Sequence, residues 1–212
     1  MSRGLFLVIE GPEGAGKSTL AAALARRMRE HGVDPVSVRE PGGTPAAERI
    51  RECFLDPAVH FEPTTELLYI AAARAHLVQD VIKPALAAGR VVVSDRFDLS
   101  TLAYQGAGRG LDPRTIRAVN DVATGGLRPA LTLVLDVPVD VGRSRQQAAG
   151  KAHDRLERED PGFHERVTRA YLAAAGEGVR HLDGTLPPDT LLDAAWAEVV
   201  AAAPEIFAGA RG

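Results

Sequence analysis

The chain has 212 residues, 45% apolar and 25% charged, which bounds it to one globular domain; a net charge of -3 argues against a general nucleic-acid binder. A single cysteine, Cys53, excludes an internal disulfide, and no apolar run approaches the roughly 20 residues of a membrane span. With no signal-peptide pattern in MSRGLFLVIEG, a cytoplasmic location is expected. LFLVIE, Leu5 to Glu10, is a short apolar run that reads as a buried strand. A glycine-rich loop follows, then a helix over Ser18 to Glu30 on which Leu20, Leu24 and Met28 recur every four residues. Pro35 to Val38 reads as a second strand, stopped by EPGGT. A long helical stretch spans Thr65 to Ala88, and RVVVSD, Arg90 to Asp95, is a third strand. A helix over Pro113 to Thr124 leads to a fourth strand, Leu131 to Val137. Pro161 to Ala175 is helical, Val179 to Leu182 a short fifth strand, and Pro188 to Ala202 a closing helix. Strands alternating with helices predict an α/β fold, a doubly wound five-stranded parallel sheet flanked by helices, with ligands at the carboxyl ends of the strands.

The glycine loop carries the first chemistry. Gly11-Pro12-Glu13-Gly14-Ala15-Gly16-Lys17-Ser18 fits G-x-x-x-x-G-K-[ST] between a strand and a helix, which predicts a P-loop NTPase fold. The glycines let backbone N–H groups turn inward onto phosphate oxygens, and the helix amino terminus, through Thr19, favours the anion. Lys17, one of only three lysines with Lys83 and Lys151, adds a charge near the outer phosphates. The Ser18 hydroxyl is placed to ligate Mg²⁺. A phosphate loop alone does not separate kinases from other NTPases, but no N-K-x-D guanine motif occurs in the chain.

A kinase needs a second pocket. Asp95 ends the third strand, where an acid can hold Mg²⁺ or its waters, and Arg96 follows directly. FDLSTLAYQGAGRG comes next, dense in hydroxyl, amide and glycine, and REPGGT, Arg39 to Thr44, falls at the same end of the sheet. Arg74 lies on the apolar helical stripe of Leu67, Ile70, Leu77 and Val81. A buried guanidinium needs planar acceptors: either an internal ion pair with Glu or Asp, or a base carbonyl or phosphate.

These segments, LFLVIEGPEGAGKST, REPGGT, ERIR, ELLYIAAARAHL, SDRFDLSTLAYQGAGRGL, RPALTLVLDV and DRLE, resemble the thymidylate kinase (dTMP kinase) family over nearly the whole chain and in the family's order. The resemblance implies one nucleoside monophosphate kinase domain over 1–212 that phosphorylates dTMP to dTDP with ATP and Mg²⁺ in deoxynucleotide synthesis. Lys17 and Ser18 would hold ATP with its metal, and Asp95 would help organise the metal and the acceptor. Glu13 would face the dTMP 3′-hydroxyl, while Arg51 and Arg96 would grip the acceptor phosphate. Arg74 would hydrogen-bond thymine O4, with Glu40 of REPGGT beside the substrate. Thr101 and Gln105 would read the base edge, and Tyr104 would crowd the sugar.

Two positions depart from the family pattern. Where the family stacks an aromatic ring on thymine, this chain has Ile70, preceded by Tyr69; either an aliphatic side chain covers the base or Tyr69 is re-aimed. Pro12-Glu13 resembles the family type that supplies its catalytic cation from a mobile lid. Here the lid would be a loop at about 142–155, with Arg143, Arg145 or Lys151 as the cation. The resemblance also implies a homodimer, while charge and the lack of a long apolar run predict no nucleic-acid or membrane partner. Cys53, in a helical stretch, and Trp196 read as packing residues, and the six histidines show no metal-ligand pairing.

Overall fold

The computed structural model describes residues 4–148, 150 and 154–208. β1 (Phe6–Glu10) is buried along its whole length. Its alternate side chains serve two faces, as a parallel strand covered on both sides requires. Leu7 and Ile9 pack with Leu20, Leu24 and Met28 of α1 (Lys17–Glu30) and with Leu192, Ala195 and Val199 of α9 (Pro188–Ala202). Phe6 and Val8 point the other way, onto Leu77, Val78 and Phe97.

β2 (Val36–Arg39), β3 (Val92–Asp95), β4 (Leu131–Asp136) and β5 (Val179–Asp183) complete an all-parallel sheet in the order β2-β3-β1-β4-β5. The five strands predicted from apolar runs are all present, with ends moved by one or two residues. The register pairs Ile9 and Arg39 with Asp95, and Glu10 with Val134. One rim of the sheet therefore gathers the phosphate loop, Asp95 and the segment after β2.

The helical stretch around Cys53 is α2 (Pro45–Leu55), started by Thr44, whose side chain accepts from the Ala47 amide at 3.1 Å, and by Pro45 in the first turn. α3 (Pro63–Leu77) continues through a π-helical turn, Val78–Ile82, into α4 (Lys83–Ala87). This is the single long helix read from sequence. The widened turn lies just ahead of Pro84, which has no N–H to return to the ladder.

The glycine-bearing stretch after Asp95 is helical too: α5 (Asp98–Thr101) runs into a π segment, Leu102–Gly108. Its glycines serve packing, since a Cβ on Gly108 would come within 2.5 Å of the Phe163 ring on α8 (Pro161–Leu172). α6 (Pro113–Thr124) and the short α10 (Pro204–Phe207) complete the helices outside the lid region. The segment expected to form a lid loop differs from that expectation. Its first half is α7 (Val139–Ala148), consistent with the helix propensity of Arg, Gln and Ala. Lys151, a candidate lid cation, lies outside the described residues. Among the described residues no helix is long and apolar enough to cross a membrane.

Candidate active site

The loop between β1 and α1 is built for an anion. Gly16 caps α1 at φ 94° with no side-chain hydrogen bond, so the first-turn amides are left without a capping acceptor. A Cβ on Gly16 would meet nothing within 4 Å, so this side of the loop opens onto free space. Lys17 Nζ reaches back across the loop to the Pro12 carbonyl at 2.7 Å. Burial, with Arg96 nearby, brings its ammonium down to about 7, a group in want of a counter-charge. Ser18 Oγ donates to Asp95 Oδ2 at 2.5 Å, which joins a hydroxyl in the first turn of α1 to the carboxylate that ends β3. Gly11 and Ala15 face inward: Ala15 packs in the core, and the Gly11 carbonyl accepts from Arg96.

Beside the loop lies a cavity of about 640 Å³ lined by Glu13, Lys17, Ser18 and Thr19 at one end and by Arg51, Ile70, Arg74 and Gln105 at the other. Arg96 stands between the two ends. Its backbone is left-handed, with φ 75°, a conformation rare for a residue with a side chain. The guanidinium is pinned by Tyr171 and Tyr104 hydroxyls at 3.0 and 3.1 Å and by Ser100 Oγ at 3.1 Å, and it lies over the Tyr104 ring. Beneath it, fully buried Glu10 accepts from the Phe97 and Ser100 amides, Ser100 Oγ and the Tyr171 hydroxyl. Burial pushes the Glu10 carboxyl up and Arg96 pulls it down.

Arg51 donates to the Pro41 carbonyl at 2.9 Å, and its guanidinium is held below its ordinary value by burial and by repulsion from Arg39. An electropositive corner of this kind suits a phosphate.

Of the two alternatives that its position left open, Arg74 realises the internal ion pair. It is 1% exposed, lines the cavity, and pairs with Glu40 Oε2 at 2.7 Å. All of its N–H groups meet protein acceptors: Glu40, Thr101 Oγ1 at 2.8 Å, Asn120 Oδ1 at 2.5 Å and the Phe97 carbonyl at 2.9 Å. Glu40 keeps its other oxygen, Oε1, buried and without a partner, and burial pushes this carboxyl up to about 7 against the pull of Arg74.

The profile of the thymidylate kinase family matches residues 9–194. This chain belongs to the thymidylate kinase family. It is 51% identical over 197 residues to the thymidylate kinase of Thermomicrobium roseum, covering 92% of this chain and 93% of that one. It is 50% identical over 210 residues to that of Ectopseudomonas mendocina, covering 99% of both, and 48% identical over 202 residues to that of Deinococcus radiodurans, covering 94% and 98%.

In this family member Tyr69 turns away from the cavity and packs on Phe61, with ring centroids 4.7 Å apart, so the aliphatic Ile70 faces the site. An aromatic ring is supplied instead by Phe54 of α2, which lines the cavity beside Ile70. Tyr104 reaches Glu13 Oε1 at 3.3 Å, and burial raises both groups.

The two described candidates for the lid cation, Arg143 and Arg145, part company. Arg145 lines the main cavity and donates to the Gly184 carbonyl at 2.9 Å, near the Gly14 carbonyl. Arg143 lines a second cavity of about 260 Å³ between α7 and α8, together with Pro12, Glu13 and His164. Phe54, Asn120, Tyr171 and Glu10 were missed from sequence. Only Glu10, an acid closing an apolar strand ahead of the loop, left a local signal.

Proposed function

We propose that this chain moves the γ-phosphoryl group of ATP to the phosphate of dTMP, giving dTDP and ADP. The observation that carries the reading is one continuous cavity with the phosphate loop and the Ser18–Asp95 pair at one end and a cationic, hydrogen-bonding pocket at the other. Phosphoryl transfer needs little covalent chemistry from a protein; it needs two anions set in line and neutralised. The residues fit that demand.

The loop amides and Lys17 hold the nucleotide phosphates. Ser18 and Asp95 offer two hard oxygen ligands, which suits Mg²⁺ bound chiefly through phosphates, and among the described residues no larger acidic or histidine cluster competes for it. When bound, Mg²⁺ supplies charge neutralisation between the phosphates. Arg51 and Arg96 hold the acceptor phosphate, and the strained backbone of Arg96 aims its guanidinium at the junction of the two ends. Ile70 and Phe54 cover the thymine. Thr101 and Gln105 meet its edge, and Arg74 faces O4 by sharing a hydrogen already engaged with protein. Tyr104 and Glu13 lie along the sugar. Arg145, which lines the main cavity and reaches the Gly14 carbonyl of the loop, is assigned the transferring phosphoryl group. The lid and homodimer expected from the resemblance, and the cytoplasmic location expected from the amino-terminal sequence, form part of this reading.

The test is coupled ADP release with ATP and Mg²⁺, run in parallel with dTMP, dUMP, dCMP, dGMP, UMP and no acceptor. Turnover is expected with dTMP and weakly with dUMP. Equal turnover with another monophosphate would move the substrate, and acceptor-independent ADP release would make the protein an NTPase.

A further inference from the structure

Glu66 is fully buried on α3 and has no place in the assignments above. It stands four residues before Ile70 and eight before Arg74, on the helix face that meets the cavity. Its carboxylate is crowded with donors. Oε1 accepts from Gln105 Nε2 at 2.6 Å and from Arg109 Nε at 3.3 Å; Oε2 accepts from Arg109 at 3.0 Å and from Arg155 at 2.7 Å.

This arrangement fixes the Gln105 side chain. A carboxylate held by two guanidiniums accepts and does not donate, so the Gln105 amide must turn its NH₂ group toward Glu66. The reversed amide would set two acceptors 2.6 Å apart. The Gln105 oxygen is thereby committed to the opposite side. Gln105 is 2% exposed and lines the cavity, and among the described residues no side-chain donor reaches that oxygen. The cavity is thus offered an acceptor. Thymine and uracil carry N–H at N3, whereas cytosine carries a lone pair there.

We infer that Glu66 is a positioning residue for base specificity: by locking the Gln105 amide it selects a pyrimidine that bears a proton on N3 and rejects cytosine. The inference rests on the reading of the cavity as the dTMP site. It goes beyond that reading by placing the discrimination in a residue that touches no substrate.

Glu66→Gln makes the idea testable. The Oε2 position takes guanidinium bonds at 3.0 and 2.7 Å, against one longer bond of 3.3 Å from Arg109 Nε at Oε1, so the new amide oxygen settles at Oε2 and the new NH₂ faces Gln105. Gln105 then flips and presents N–H to the cavity. The experiment measures kcat/KM for dTMP, dUMP and dCMP with wild type, Glu66→Gln, Gln105→Leu and the double variant, with thermal melting as the check on folding. In Glu66→Gln the dTMP-to-dCMP ratio should fall roughly 10- to 100-fold, the effect of one mismatched buried hydrogen bond, with dUMP following dTMP. In the Gln105→Leu background there is no amide to turn, so adding Glu66→Gln should leave the ratio unmoved.

A Glu66→Gln variant that slows dTMP and dCMP alike would reduce Glu66 to a structural tie and overturn the inference. So would a wild type that accepts dCMP as readily as dTMP, although it would leave the kinase reading standing. ADP release independent of any acceptor would remove the kinase reading and the inference with it. Should Glu66→Gln not fold, NMR of the wild-type dTMP complex decides: contacts between the Gln105 NH₂ protons and the base would overturn the assignment, and their absence beside a hydrogen-bonded N3 proton would support it.

Discussion

Arg96 shows how much one side chain can be asked to do. It sits on a left-handed backbone that a residue with a Cβ rarely adopts, and three hydroxyls hold its guanidinium. Strain of this kind persists where the surroundings over-determine it. Arg96→Ala should therefore lower kcat/KM for dTMP by roughly 10²- to 10³-fold while the circular dichroism spectrum stays native; near-normal turnover would remove Arg96 from the acceptor site.

A second titratable residue lies away from this chemistry. His181 on β5 faces Asp136 through Nδ1 at 2.8 Å and the Ala174 carbonyl through Nε2 at 2.7 Å, so both ring nitrogens have acceptors. These partners raise the imidazole above its ordinary value of 6.5 despite partial burial. A raised basic group stabilises the fold fully below the unfolded value and loses that contribution as pH rises through the folded one. Melting temperatures of wild type and His181→Gln should therefore differ most below pH 6.5 and converge in alkaline buffer. A constant difference across pH would show that the imidazolium is not what matters.

At the scale of elements, α3 and α7 set the site. α3 presents Glu66, Ile70 and Arg74 along one face, so one rigid helix carries a pocket wall, a guanidinium and the support of Gln105. α7 lies directly on the phosphate loop. A Cβ on Gly142 would approach the Glu13 carbonyl to 2.5 Å, and one on Gly14 would run into the Gly142 backbone. This glycine contact lets the lid helix carry Arg145 to the loop. Gly142→Ala should lift α7 and lower kcat/KM roughly 10- to 100-fold with an unchanged melting temperature, because small displacements of a charged group are costly in phosphoryl transfer. A variant with full activity would show that the lid does not need this approach. The helix α7 was partly legible, since Arg, Gln and Ala favour helix, but Gly142 and Gly150 in the same segment read as loop until the phosphate loop beneath them is placed.

The whole molecule depends on a sheet buried on both faces. Leu24 is fully buried where α1 covers the sheet beside β1 and α9, so Leu24→Ala should cost about 2–5 kcal/mol. Urea unfolding checks this through a lower midpoint at an unchanged slope. A loss well under 1 kcal/mol would mean that the layer collapses around the gap.

The strands, the phosphate loop and most of the residues at the rim can be read from the order of amino acids alone. Apolar runs such as LFLVIE have few alternatives to a buried strand, and G-x-x-x-x-G-K-[ST] confines its chemistry to consecutive residues. Which donors and acceptors meet was settled by the folded chain alone. Glu10 finds Tyr171 across 161 residues, Arg74 finds Asn120 across 46, and Glu66 finds Arg155 across 89. The folded chain also decided that Phe54 rather than Tyr69 brings an aromatic ring to the main cavity, and that Arg145 rather than Arg143 faces it. Periodicity tells which face of a helix is covered, but not by what. A hydrogen bond is fixed by the position and direction of both partners, and those exist only once the chain has folded.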